Sequence, residues 1–145
     1  MGILSGLQKR FGFEYNGMRN HEVYFSSLSG KATELTEDGQ LKKAIASEWG
    51  SFEKWVVLFK SIATTRGVGW AMLYSDHIDG RLLNAWVDEQ HLGQLNGCRT
   101  ILALDMWEHS YLFDYTPGDK KKYIEAFFSN LNWQNVEENF SKVKN

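Results

Sequence analysis

This chain of 145 residues has one cysteine, Cys98. No disulfide framework and no thiolate zinc site can be built within it, and a reducing, cytoplasmic setting is the expectation that follows. No apolar run approaches the length of a membrane span, so no membrane partner is expected. The opening M-G-I-L-S-G-L-Q-K-R lacks the apolar core and cleavage pattern of a secretory leader. Neither charge sign dominates. With 16 basic and 18 acidic residues the formal net charge is −2, which removes the electrostatic footprint of a nucleic-acid binder. There is also no internal repeat, no low-complexity tract and no evident linker.

Aromatic residues, by contrast, are abundant. They make up 14% of the chain and include six Trp, enough to build a core of large plates around a small dry site. Hydrophobic residues at 43% and charged residues at 23% are ordinary for a globular protein of one domain.

Leu7, Phe11, Met18, His21, Phe25 and Leu28 recur by threes and fours, predicting a helix over roughly residues 5 to 28 with His21 on its inward face. A second helix is expected near 38 to 49. Gly50-Ser51 ends it and caps a third, lined by Phe52, Trp55, Val56, Phe59, Ile62 and Ala63. The pattern changes at Gly67-Val68-Gly69. Residues 68–74 and 81–89 read as strands joined by a turn-rich hairpin, and 100–104 as a third strand. Two more helices follow, one opening at Gly118-Asp119 and one after Asn132. The expected fold is therefore α+β in a single domain, 1–145. Residues 1–66 are mainly helical, and 67–145 hold a small three-stranded antiparallel sheet and the C-terminal helices.

The stretch T-I-L-A-L-D-M-W-E-H-S-Y carries the chemistry. An apolar strand delivers Asp105 and, four residues on, His109, with Trp107 and Glu108 between them. If the strand runs into a helical turn, Asp105 and His109 share one side of it. One hard oxygen ligand and one imidazole at a strand mouth suit a redox metal. The same residues also describe a strand followed by a capped helix, with Asp105 as the cap and His109 a core histidine. Of the other histidines, His77 falls in the hairpin turn and His91 in a Gly-containing loop. His21 lies one turn beyond Gly17, and a mid-helix Gly costs about 1 kcal/mol relative to Ala, a cost met where another group approaches closely.

Taken together these segments resemble the iron/manganese superoxide dismutase family. The resemblance rests on N-G-M-R-N-H-E-V-Y-F (16–25), G-S-F-E-K-W (50–55), R-G-V-G-W-A-M-L (66–73), D-E-Q-H (88–91), L-D-M-W-E-H-S-Y (104–111) and Y-I-E-A-F-F-S-N-L-N-W (123–133). They occur in the family's order and at compatible spacing. The resemblance implies His21, Asp105 and His109 as ligands of Mn or Fe, and superoxide anion as substrate, converted to dioxygen and hydrogen peroxide. It implies Gln90 as a hydrogen-bonding side chain over the metal, admitted by Gly17, a combination that tilts towards Mn. Trp70, Trp107 and Phe25 match aromatic positions around the cavity. Glu108 matches a residue that pairs with a ligand histidine across a homodimer.

The chain also departs from the family pattern. Phe25 replaces a usual Trp, His91 stands where Asp commonly follows the loop Gln, Leu112 replaces a Tyr and Lys120 an Arg. In the family an N-terminal helical hairpin carries a further His ligand, whereas residues 1–20 here hold no His. The expectation is a site short of one family ligand, an apolar face of the first helix left exposed, and weaker metal retention. A non-catalytic metal-binding or oligomeric homologue is the alternative, and another oxidative reaction at a mononuclear iron a third.

Overall fold

The computed structural model describes residues 2–144. Helix α1 (Gly2–Leu28) is followed by α2 (Gln40–Trp49) and α3 (Phe52–Ala63). Strands β1 (Gly69–Asp76), β2 (Leu82–Asp88) and β3 (Cys98–Asp105) come next. The single turn α4 (Glu108–Tyr111), then α5 (Lys120–Asn130) and α6 (Trp133–Val143), complete the chain. The α+β expectation holds, with helices on either side of the sheet in sequence order.

The helix boundaries have local causes. Gly50, at φ 88°, takes the left-handed conformation that ends α2. Ser51 then accepts the Lys54 N–H at 3.1 Å and caps α3, as its sequence position predicts. Gly39 has no side chain with which to cap α2. Glu137 of α6 does so instead, accepting the Leu41 N–H at 3.0 Å. Pro117 opens a 3-10 turn bracketed by Thr116 and Asp119, so α5 begins one residue later than the Gly118-Asp119 signal implies.

The sheet order is β2-β1-β3, antiparallel throughout. Central β1 is buried along nearly its whole length, while edge β2 is half-exposed. That explains why 68–74 reads as a nearly continuous apolar run. Trp55 and Phe59 from α3 are fully buried. The Trp55 indole N–H donates to Asn84 Oδ1 at 3.0 Å, so a large plate enters the core with its one polar atom satisfied.

Helix α1 departs from expectation in the face it buries. Leu7, Phe11, Met18 and Phe25 are exposed, whereas Gly17, Asn20, Tyr24 and Ser27 are buried. The buried stripe is small or polar because α1 lies close against β3 and the loop after β2. The Asn20 amide donates to the Gln90 carbonyl at 3.0 Å, and the Ser27 hydroxyl donates to the Tyr24 carbonyl at 2.7 Å. Satisfied polar groups of this size allow a nearer approach than Leu or Phe would. The apolar side of α1 faces solvent.

Candidate metal centre

Strand β3 ends at Asp105, whose partner on β1 is Trp70. The next amide, Met106 N–H, still donates to the Gly69 carbonyl at 2.8 Å, which pins the strand exit. Asp105 Oδ1 then accepts the Trp107 N–H at 2.9 Å, turning the chain into α4. That leaves Oδ2 pointing outward. His109 Nε2 lies 3.0 Å from Oδ2, and His21 Nε2, delivered by α1, lies 3.2 Å from it. The three donor atoms all fall within 4.8 Å of one another. Asp105 is not the helix cap, since that position falls on Trp107 and has no side-chain cap; one Asp105 oxygen holds the turn before α4 and the other meets both imidazoles. The Asp105 side chain is 1% exposed, that of His21 31% and that of His109 55%, so the cluster has a buried floor and an open side.

Proton positions follow from chemistry. His21 Nδ1 is 2.7 Å from the Gly17 carbonyl, which can only accept, so Nδ1 carries the hydrogen. In a neutral imidazole Nε2 then bears a lone pair, and this lone pair faces the carboxylate oxygen of Asp105. Two electron-rich atoms at 3.2 Å need a cation between or beside them, either a proton or a metal. Burial pushes the Asp105 carboxyl above its ordinary value, opposed by the Trp107 N–H and by the nearby imidazoles of His109 and His21. A desolvated carboxylate, an imidazole with its tautomer fixed by a backbone carbonyl, and a second imidazole on a half-open side form a donor set that fits a first-row metal ion.

Residues 37–139 match the family model described as iron/manganese superoxide dismutases, C-terminal domain. The chain belongs to the iron/manganese superoxide dismutase family. It is 42% identical over 141 residues to a superoxide dismutase [Fe] of Cupriavidus metallidurans, covering 95% of this chain and 68% of that protein. It is 37% identical over 123 residues to superoxide dismutase [Mn] 1 of Halobacterium salinarum, covering 85% and 60% respectively. A superoxide dismutase [Mn] of Corynebacterium diphtheriae is 35% identical over 143 residues, covering 95% and 69%. Among such relatives the chain spans from 51% to 69% of their length.

The other positions that superoxide dismutase resemblance picks out surround this cluster. Gln90 is buried against α1. A Cβ placed on Gly17 would lie 3.2 Å from Gln90 Cδ and 3.3 Å from its Oε1, so the bare Cα is what admits this side chain. The Trp70 indole N–H, a donor only, meets Gln90 Oε1 at 2.8 Å, which fixes the amide's orientation. The Gln90 amide nitrogen makes no hydrogen bond among the described residues and remains an available donor. Trp70 also stands edge-on to His21 at 4.8 Å between centroids, and Trp107 stacks on His109 at 5.7 Å with its indole N–H on the Glu89 carbonyl. Phe25 stacks on His21 from the solvent side.

Glu108 is exposed and makes no ion pair with the described residues. His91 does not join the cluster. It packs edge-on to Phe13 of α1, with Nδ1 buried and without a hydrogen-bond partner. His77 bonds through its ring to the Gly97 carbonyl, beyond the far end of the sheet.

Tyr24 and Tyr123 went unnoticed as site residues. The Tyr123 hydroxyl donates to the Asp105 carbonyl at 2.7 Å and meets the Tyr24 hydroxyl at 3.1 Å. Tyr24 follows His21 by three residues, a helical spacing that places both on neighbouring faces, and this was the available signal.

Proposed function

We propose that His21, Asp105 and His109 hold a redox-active iron or manganese ion and that the chain acts as a superoxide dismutase. Two superoxide anions and two protons give one dioxygen and one hydrogen peroxide. One observation carries the reading: two imidazoles from separate elements turn their Nε2 atoms onto one buried carboxylate oxygen, with His21 locked in the tautomer that presents a lone pair. The bound ion would supply one-electron oxidation and reduction, which none of the side chains can supply.

The chain's own residues do the rest. Asp105 lends a negative charge that burial leaves poorly solvated and therefore strongly attracted to a cation. By accepting the Nδ1 hydrogen, the Gly17 carbonyl orients the His21 ring so that its Nε2 lone pair faces the cluster. Gln90 offers its free amide donors beside the cluster to the incoming anion or to solvent, while Trp70 holds the amide from the other end. Trp107, stacked on His109, limits how far that exposed imidazole can swing and keeps water from one side of it.

The same reading expects a homodimer, in which the exposed Glu108 pairs with an imidazole of a second copy's centre. It also expects a cytoplasmic setting, where Cys98 stays a free thiol. Mn and Fe both fit the donor set, and Gly17 with Gln90 favours Mn.

The test is dismutation followed by pulse radiolysis on protein loaded separately with Mn and Fe, alongside His21→Ala, Asp105→Ala and Gln90→Ala. Metal-dependent turnover that disappears with His21 or Asp105, and falls with Gln90, is expected. Stoichiometric metal without turnover would mark a binding homologue instead, and no specific metal uptake would reject the centre itself.

A further inference from the structure

Resting on the metal-centre reading above, we infer that the Tyr123 hydroxyl is a positioning group that locks the helix carrying His21 to the strand end carrying Asp105. Its geometry defines a directed chain of hydrogen bonds. The Asp105 carbonyl can only accept, so Tyr123 donates to it at 2.7 Å. That uses the single Tyr123 proton. At 3.1 Å the Tyr24 hydroxyl must therefore be the donor to Tyr123. The chain runs from α1 through α5 to the end of β3, joining residues 99 positions apart in sequence at its first link.

Among the described residues the other side-chain hydroxyl near this carbonyl is that of Ser110. Ser110 Oγ lies 2.9 Å from the same carbonyl but 2.6 Å from the Trp107 carbonyl, and its one proton goes to the nearer. Both phenols are buried and held by their rings. Tyr24 lies parallel to Phe127 at 5.8 Å and edge-on to Trp70 at 6.2 Å, while Tyr123 packs on Tyr111 at 5.5 Å. Neither hydroxyl can turn elsewhere without leaving a buried polar atom unpaired. The consequence is local. The carbonyl of Asp105 is fixed where the chain leaves β3, so the carboxylate and the turn that presents His109 are fixed with it. Tyr24 sits three residues beyond His21, so the same chain fixes how far α1 slides along the sheet.

The experiment compares wild type, Tyr123→Phe, Tyr24→Phe and, as a destabilised control away from the site, Phe140→Leu. Two readouts are taken. In metal-free protein, amide exchange is followed at Trp107, whose N–H bonds the Asp105 carboxylate, and at Met72 within the β1–β2 pair. In parallel, Co(II) alone is titrated and its ligand-field bands recorded. Tyr123→Phe is expected to speed exchange at Trp107 but not at Met72, to weaken Co(II) binding about tenfold and to shift the bands. Tyr24→Phe, which keeps the bond to Asp105, should do the same to a lesser degree, and it carries the test if Tyr123→Phe does not fold.

Unchanged Trp107 exchange, Co(II) affinity and bands in Tyr123→Phe would overturn the inference. So would identical changes in Phe140→Leu at equal loss of stability, since the role would then be general packing. If wild type binds no Co(II), the metal-centre reading fails and the exchange arm alone decides the positioning role.

Discussion

Gly17 is the residue at which helix stability and site geometry pull in opposite directions, and Gly17→Ala measures the balance. Ala in a helix interior should stabilise by about 1 kcal/mol over Gly. Here the added methyl would sit 3.2 Å from Gln90 Cδ and 3.3 Å from Cγ and Oε1. Ordinary carbon contacts begin at about 3.5 Å, so Gln90 must move by a few tenths of an ångström. It has little freedom to do so. Its Oε1 is held by Trp70 at 2.8 Å and its carbonyl by Asn20 of the same helix at 3.0 Å.

Resisting costs about 1–3 kcal/mol of overpacking, and yielding loses the Trp70 bond, worth about 1 kcal/mol. Gly17→Ala should therefore be neutral to about 2 kcal/mol destabilising in the native chain. With Gln90→Ala in place the helix gain returns in full, giving a coupling of about 1–3 kcal/mol. Urea titrations of the four proteins, followed by Trp fluorescence, measure it. A Gly17→Ala protein stabilised by the same amount in both backgrounds would refute the close-approach argument.

Two other outcomes follow from burial. Because the Asp105 carboxyl is raised by desolvation, its contribution to the stability of the metal-free protein is fully present below the ordinary carboxylate pKa of about 4 and is lost as pH rises through the raised value. Asp105→Asn should flatten that loss and raise the melting temperature of chelator-treated protein at neutral pH, while removing specific Co(II) uptake. A pH–stability profile identical to wild type would contradict this. On the exposed side of α1, Leu7→Glu combined with Phe11→Glu should reduce self-association in light scattering and shift stability by no more than about 0.5 kcal/mol, since both side chains lie mostly in solvent. Undiminished association would place the contact surface elsewhere.

What could be read from residue order alone was whatever is local. Asp105 and His109 at a four-residue spacing after an apolar strand share one side of the exit turn, as expected. Ser51 caps α3, and the two strands around the 77–81 turn pair in register. The approach of Gln90 to Gly17 was also accessible, because a Gly inside a helix needs a reason.

The buried face of α1 was not accessible in the same way. Apolar periodicity marks Leu7, Phe11, Met18 and Phe25, yet close packing on β3 selects Gly17, Asn20, Tyr24 and Ser27 for the interior. Periodicity reports which side is greasy; which side is narrow enough to dock depends on the partner. The spacing of Tyr24 from His21 places it near the centre, but its pairing with Tyr123 is not legible locally, since the two ends meet only in the folded chain.

The antiparallel order β2-β1-β3 has a consequence for how the centre comes into being. The β1–β2 pair closes through a short turn and can form early, whereas α1 must wait for the last strand before its docking surface exists. During synthesis His21 leaves the ribosome long before Asp105 and His109, so a nascent chain offers an isolated imidazole, a poor ligand for any ion. On the metal-centre reading, metal capture is deferred until the polypeptide has closed on itself, and ion uptake would double as a report that the final crossing of helix over strand has been made.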